Sequence, residues 1–197
     1  MGNTWTRLAA ANPAVANRFV TTTNMIVGAY TVANATMPTT PGARRITITH
    51  TTVAAGTDTL GTVTITGTDI RGAVVTDTIT PLADTVATGS RFFVTVTNVV
   101  GAGWVIAGGN DTLVVGAEAG STVLDGTGIL KAIVVNTTAA GTITVNTNAG
   151  TLATLASSIA VGTYTYDCDV TVLRLTLAAA SDVTVIHSGN LPSTASL

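Results

Sequence analysis

The chain has 197 residues, of which 46% are hydrophobic, 9% charged and 4% aromatic, with a formal net charge of −2. Soluble domains usually carry about 25% charged residues, and a balance this near neutrality leaves no electrostatic footprint for nucleic acid. A single cysteine, Cys168, rules out an intramolecular disulfide. No charge-free apolar run reaches the length of a membrane-spanning helix without interruption by Thr and Gly, so no membrane partner is expected. Met1 and the polar residues after it, followed by an apolar run broken at Asn12 and Pro13, give no expectation of a secretion signal. Thr and Val dominate, and β-branched side chains lose rotamer freedom in a helix but pack well on a pleated surface. The composition therefore points to an all-β protein. A surface coated in Thr rather than Lys and Glu suits a chain held in an assembly.

In chain order, residues 1–43 differ from the rest. Trp5, Leu8 and the alanines that follow predict a short helical turn ending at Asn12-Pro13. Residues 25–32 (MIVGAYTV) read as a strand, and residues 37–42 (MPTTPG) as a loop. This segment is expected to be an extended arm whose apolar anchors, Trp5 and Phe19, fold back on their own sheet or reach a neighbouring subunit.

A first β domain is expected over residues 44–118. Arg44 and Arg45 open a strand in which Ile46 and Ile48 face one way and Thr47 and Thr49 the other. The clearest element is a hairpin over residues 60–81: Val63 and Ile65 alternate with threonines, Gly67, Asp69 and Gly72 make the turn, and Pro81 stops the return strand. Asp77 breaks its pattern by sharing a face with Val75 and Ile79. A bulge, or an edge position where Asp77 meets a partner, would resolve that, because an unpaired buried carboxylate costs several kcal/mol. Residues 92–100 predict a strand with Phe92, Val94 and Val96 on one face. Residues 104–107 and 112–116 predict a closing hairpin around the turn at 108–111.

The Gly-rich stretch 118–128 is read as a joint, followed by a second β domain over residues 119–190 and a frayed tail over 191–197. Strands are expected at 130–136, 141–146, 151–155, 162–167, 170–177 and 182–187. The chain thus reads as two small antiparallel β-sandwich or barrel-like domains preceded by an extended N-terminal arm. The second is too small to be held by its own core alone, with no disulfide or metal staple, which favours docking on other surfaces.

No catalytic site, cofactor site or metal site is expected. His50 and His187 lack a second ligand at a metal-binding spacing. Asp167-Cys168-Asp169 resembles a metal-binding DxD triplet but follows no nucleotide-binding βα unit, and reads as a break between strands. Cys168 has no local base and reads as a packed small hydrophobe. The run GAGWVIAGG lacks the lysine and helix of a phosphate loop, so Trp104 within it reads as a core or interface anchor. The Asn-X-Thr triplets at Asn34, Asn110 and Asn136 read as chance in a Thr-rich chain.

The runs ITITHTTVAAGTDTLGTVTITGTDIRGAVVTDTITP and FFVTVTNVVGAGWVIAGGNDTLVVG resemble the Thr/Val/Gly-rich β domains of tailed-bacteriophage virion structural proteins. ILKAIVVNTTAAGTITV and LAAASDVTVIHSG resemble a second sandwich module of the same proteins. The resemblance implies a non-enzymatic capsid decoration (cement) protein on the virion surface. Its partners would be copies of itself, as a homo-oligomer and specifically a trimer, and the major capsid protein. It supplies no catalytic residues. The interface residues would be Trp5, Arg7 and Phe19 on the arm, with Arg44, Arg45, Asp77 and Trp104 on the first domain. The alternative is a neck or tail fibre module that binds a host surface glycan through Trp104, Tyr164 and Tyr166.

Overall fold

Alternation of β-branched residues with threonine produces strands along the whole chain in the computed structural model, which describes residues 2–38, 42–53, 58–107 and 110–189. In order these are β1 (Thr4–Leu8), β2 (Val15–Asn24), β3 (Arg44–Thr51), β4 (Thr59–Thr68), β5 (Val74–Ile79), β6 (Val86–Phe93) and β7 (Thr95–Val105). There follow β8 (Thr112–Ala117), β9 (Ser121–Val135), β10 (Ile143–Thr147), β11 (Gly150–Leu155), β12 (Gly162–Leu177) and β13 (Val183–Gly189). No α-helix occurs among the described residues, and all strand pairs are antiparallel. The protein is all-β.

The chain divides into two compact units. One, the central unit, comprises Ala14–Pro38 and Ala43–Ala119. It has a four-stranded sheet, β2-β8-β3-β6, and a three-stranded sheet, β5-β4-β7. Both supply one core: Phe19, Ile46, Ile48 and Val115 come from the first sheet, Val63, Ile65, Ile79 and Val99 from the second. That arrangement is sandwich-like. The hairpin expected at residues 60–81 is β4–β5, paired from Val63↔Ile79 to Thr68↔Val74. Asp69 closes its turn by accepting the backbone N–H of Arg71 and of Ala73, at 2.8 and 2.9 Å.

The other, the split unit, comprises Met1–Pro13, Thr39–Gly42 and Gly120–Leu197. Its single sheet runs β1-β13-β9-β12-β10-β11 and buries Leu8, Leu130, Ile133, Ile143, Val145, Leu173, Leu175, Val183 and Val185 on one face. Asn12 is its polar hub. Only 1% exposed, Asn12 donates from Nδ2 to Ser121 Oγ and to the Leu175 carbonyl, both at 3.1 Å, while its Oδ1 accepts the Leu177 N–H at 2.7 Å. The segment after β1 is thereby tied to both β9 and β12.

Several local expectations are corrected. Where a helical turn was expected after Trp5, β1 pairs with β13, setting Trp5 opposite Ile186 and Leu8 opposite Val183. The ladder hydrogen bonds and the burial of Leu8 outweigh a marginal helical propensity. Residues 1–43 supply β1 to one unit and β2 to the other. Residues 25–32 are no strand: Met25–Val27 form a 3-10 turn, its start capped by the Asn24 side chain accepting the Ile26 N–H.

Residues 92–100 are two strands rather than one. The chain leaves the four-stranded sheet after Phe93 and joins the other at Thr95, and β7 bulges between Val96 and Asn98. Each break resets the alternation, so Phe93, Val96 and Val99 are buried in place of Phe92 and Val94. β7 and β8 lie in different sheets and form no hairpin, and residues 108–109 of the expected turn lie outside the described residues.

The two units part between Ala119 and Gly120, inside the Gly-rich stretch, but from Ser121 on that stretch is the first half of β9; the two strands expected at 162–167 and 170–177 are the single strand β12, broken in register where Asp167 takes φ 49°. Gly126 (φ 132°) bulges within β9, and a Cβ at Gly128 would lie 2.2 Å from the Ser188 carbonyl oxygen. These glycines let a strand bend and a neighbour approach. The expected tail at 191–197 lies outside the described residues.

Asn12→Ala removes two donors and leaves the Leu177 N–H without its acceptor. The expected cost is about 2–4 kcal/mol, visible by hydrogen exchange as faster opening of β9 and β12 and not of β4 and β5.

Candidate functional site

With so few charges, the use of each ionisable side chain shows what chemistry remains available. Arg7 on β1 pairs with Asp182 (Nε to Oδ1, 2.8 Å), and this contact, with a second hydrogen bond from Asn136, holds the Asp182 carboxyl down at about 2. Arg45 forms a bidentate pair with Glu118 at 2.7 and 2.8 Å. Arg44 is fully buried and donates to the Glu118 carbonyl at 3.2 Å; burial pushes its guanidinium down to about 10. Arg45 stands half-exposed in its pair, whereas Arg44 is an interior residue rather than a solvated one.

Phe19 is 0% exposed within the core of the central unit. It offers no side-chain surface to a neighbouring subunit. Trp104 is partly buried and packs against Tyr30 with ring centroids 6.3 Å apart. Trp5, in contrast, is 64% exposed on β1. Among the expected interface residues it presents the largest apolar surface.

Asp77 sits on β5, an edge strand, and its partner is the edge strand β6 of the other sheet. β6 bulges there: Arg45 pairs with Phe92 and Thr47 with Thr88, so Ile46 alone opposes Gly89, Ser90 and Arg91. The bulge leaves amides that the ladder does not serve. Asp77 Oδ2 accepts the N–H of Ser90 at 2.7 Å and of Arg91 at 3.0 Å, and the Ser90 hydroxyl donates to Oδ1 at 3.2 Å. β4 and β5 stay in register throughout, so the partner, not a bulge in β5, accommodates the carboxylate.

His50 and Asp111 form a second buried network. His50 Nε2 lies 3.0 Å from Asp111 Oδ2, and both side chains are almost fully enclosed. The Asp84 N–H donates to His50 Nδ1 at 3.4 Å, which places the ring proton on Nε2, donating to Asp111. Asp111 Oδ1 accepts the Val53 N–H at 2.9 Å, and Asp84 accepts the Thr52 N–H at 2.7 Å, which lowers the Asp84 pKa. Both imidazole nitrogens are engaged and enclosed. The arrangement orients a loop and leaves no ring nitrogen to meet a substrate.

On the core face of the split unit, Cys168, Leu130 and His187 form one rung across β12, β9 and β13. Cys168 and His187 are two strands apart, about 10 Å, so the histidine is not positioned to activate the thiol. His187 is 4% exposed, and neither of its ring nitrogens has a hydrogen-bond partner. Its strand neighbours on that rung, Thr4 and Leu130, do not ionise. Burial therefore lowers its pKa. Among the described residues, no three His, Cys, Asp or Glu side chains come together as a metal site.

The remaining conspicuous surface is apolar. In the central unit Val74 is 77% exposed on β5, Val105 64% on β7 and Val86 51% on β6. A bridge from Ala29 to Val100 holds the 3-10 turn, with its exposed Ile26 and Val27, at the rim of the three-stranded sheet. The sequence did not single out these positions, because an apolar residue in an alternating strand reads as core until its sheet partners are known.

Two outcomes are expected. Asp77→Ala strands the Ser90 and Arg91 amides and destabilises the central unit by about 2–4 kcal/mol, measured as a lower denaturant midpoint, while Asp77→Asn loses less. The neutral His187 is favoured in the fold, so its contribution is full above 6.5, its ordinary value, and is lost as pH falls below that toward the lower folded value. Urea titrations from pH 8 to 5 are expected to show falling stability that is shallower in His187→Leu. Compared with protein-family models, with curated proteins and with solved structures, the chain gives no match.

Proposed function

We propose that this chain is a non-enzymatic structural protein of a tailed-phage virion, a capsid decoration protein that stabilises the shell through contacts between its own copies and with the major capsid protein. The observation that carries this reading is the set of apolar side chains left exposed on charge-poor strands. Val74, Val86 and Val105 are more than half exposed on β5, β6 and β7, and Trp5 is 64% exposed on β1. β5 and β6 are edge strands, each ending its sheet. Exposed edges and exposed apolar side chains favour association, and the usual guards against it are charges, which this chain carries at 9%.

The resemblance of the Thr/Val/Gly-rich runs to virion structural domains supplies the setting, and the surface supplies the mechanism. A stable contact buries about 1,600 Å² in total. Many modest contacts repeated over a lattice then act together.

Light scattering of the purified chain is expected to give three times the 19.7 kDa chain mass, with co-sedimentation on empty capsids. Val74→Glu, on a side chain 77% exposed, is expected to lower the assembled fraction without changing the melting of the fold. A monomer that stays in the supernatant overturns the reading.

A further inference from the structure

The split unit carries an open cleft on the face of its sheet opposite the core. It has a volume of about 440 Å³ and opens where β9 bulges against β12. Its origin is in the register. Asp169, Ile129 and Ser188 form one rung across β12, β9 and β13, and residues paired in this way project to the same face. Thr127 and Thr171 flank the rung along the same strands, where the ladder is interrupted between Val170↔Gly128 and Val172↔Asp125. Thr127, Ile129, Asp169, Thr171 and Ser188 all line the cleft.

These polar groups are unspent. Nine of the ten acidic residues of the chain have a hydrogen-bond, ion-pair or electrostatic partner: Asp58, Asp69, Asp77, Asp84, Asp111, Glu118, Asp125, Asp167 and Asp182. Asp169 alone has none among the described residues. The hydroxyls of Thr127, Thr171 and Ser188 likewise have no hydrogen-bond partner there, and Thr127, Asp169 and Thr171 are exposed to the solvent from which a ligand would come.

We propose that this cleft binds a neutral saccharide. A carboxylate without a counter-charge accepts two adjacent hydroxyls of one sugar ring, and three side-chain hydroxyls can each donate or accept around it. The same lone negative charge disfavours anionic ligands. Ile129 supplies an apolar patch for a ring face. The volume lies in the range of small-molecule sites and far exceeds what a bare cation needs.

The test is a titration of the full chain, followed by amide chemical shifts, with methyl α-mannoside, methyl β-glucoside and N-acetylglucosamine as neutral probes. N-acetylneuraminic acid and Ca²⁺ are run in parallel. Shifts confined to residues around Thr127, Asp169, Thr171 and Ser188 with at least one neutral probe are expected, with no response to the anionic sugar. Asp169→Asn is expected to weaken that binding roughly ten- to hundredfold, and Ser188→Ala to weaken it less. Asp169 makes no bond within the fold, so the Asp169→Asn spectrum elsewhere should be unchanged. Absence of localised shifts with all three neutral probes overturns the proposal. So does equal affinity in Asp169→Asn, or a response to Ca²⁺ alone.

Discussion

A sheet must stop somewhere, and where its ladder stops or bulges the backbone N–H groups still need acceptors. In this protein side-chain oxygens meet that need. Asp58, Asp69, Asp77, Asp84 and Asp111 each accept at least one backbone N–H at a turn, loop or bulge, and Asn12 accepts that of Leu177. A chain with 9% charged residues thus spends half of its ten carboxylates on its own backbone. This explains why scattered aspartates do not converge on a reaction centre, and why the one that stands apart, Asp169, stands out.

The same constraint shapes the strands. β9 and β12 are long because glycines and an αL aspartate absorb the bends inside them instead of ending them. Gly126 and Asp167 take the strained conformations, and Gly128 admits the Ser188 carbonyl. Each bulge shifts the alternation and re-aims the side chains on either side of it. The polar rung of Asp169, Ile129 and Ser188 results directly. So does its counterpart on the opposite face, where His187 is shut away from water beside Leu130.

Stability and surface are coupled through this economy. Interior polar groups such as Asp77, Asp111 and Asn12 are hydrogen-bonded and hold loops and edges in place, which leaves β-branched apolar residues to cover much of the rim. Val74, Val105 and Trp5 are exposed because the edges on which they lie have no further strand to cover them. An all-β fold with no α-helix among the described residues to lay over its edges favours covering them by association.

Local pattern made much of the fold legible. Threonine alternating with Val and Ile determined the all-β class, the β4–β5 hairpin and the core face of β3, because side-chain direction in a strand has a period of two and needs only a few residues to read. The need of Asp77 for a partner was equally readable, since a carboxylate on an apolar face must be satisfied. The identity of that partner was not, because the Ser90 and Arg91 amides belong to another sheet. Nor could alternation locate Phe93 in the core, join residues 1–13 to the C-terminal strands, or bring Asp169 beside Ser188. Those depend on bulges, which reset the parity without a mark in composition, and on pairings between residues far apart in the chain, which only the tertiary structure decides.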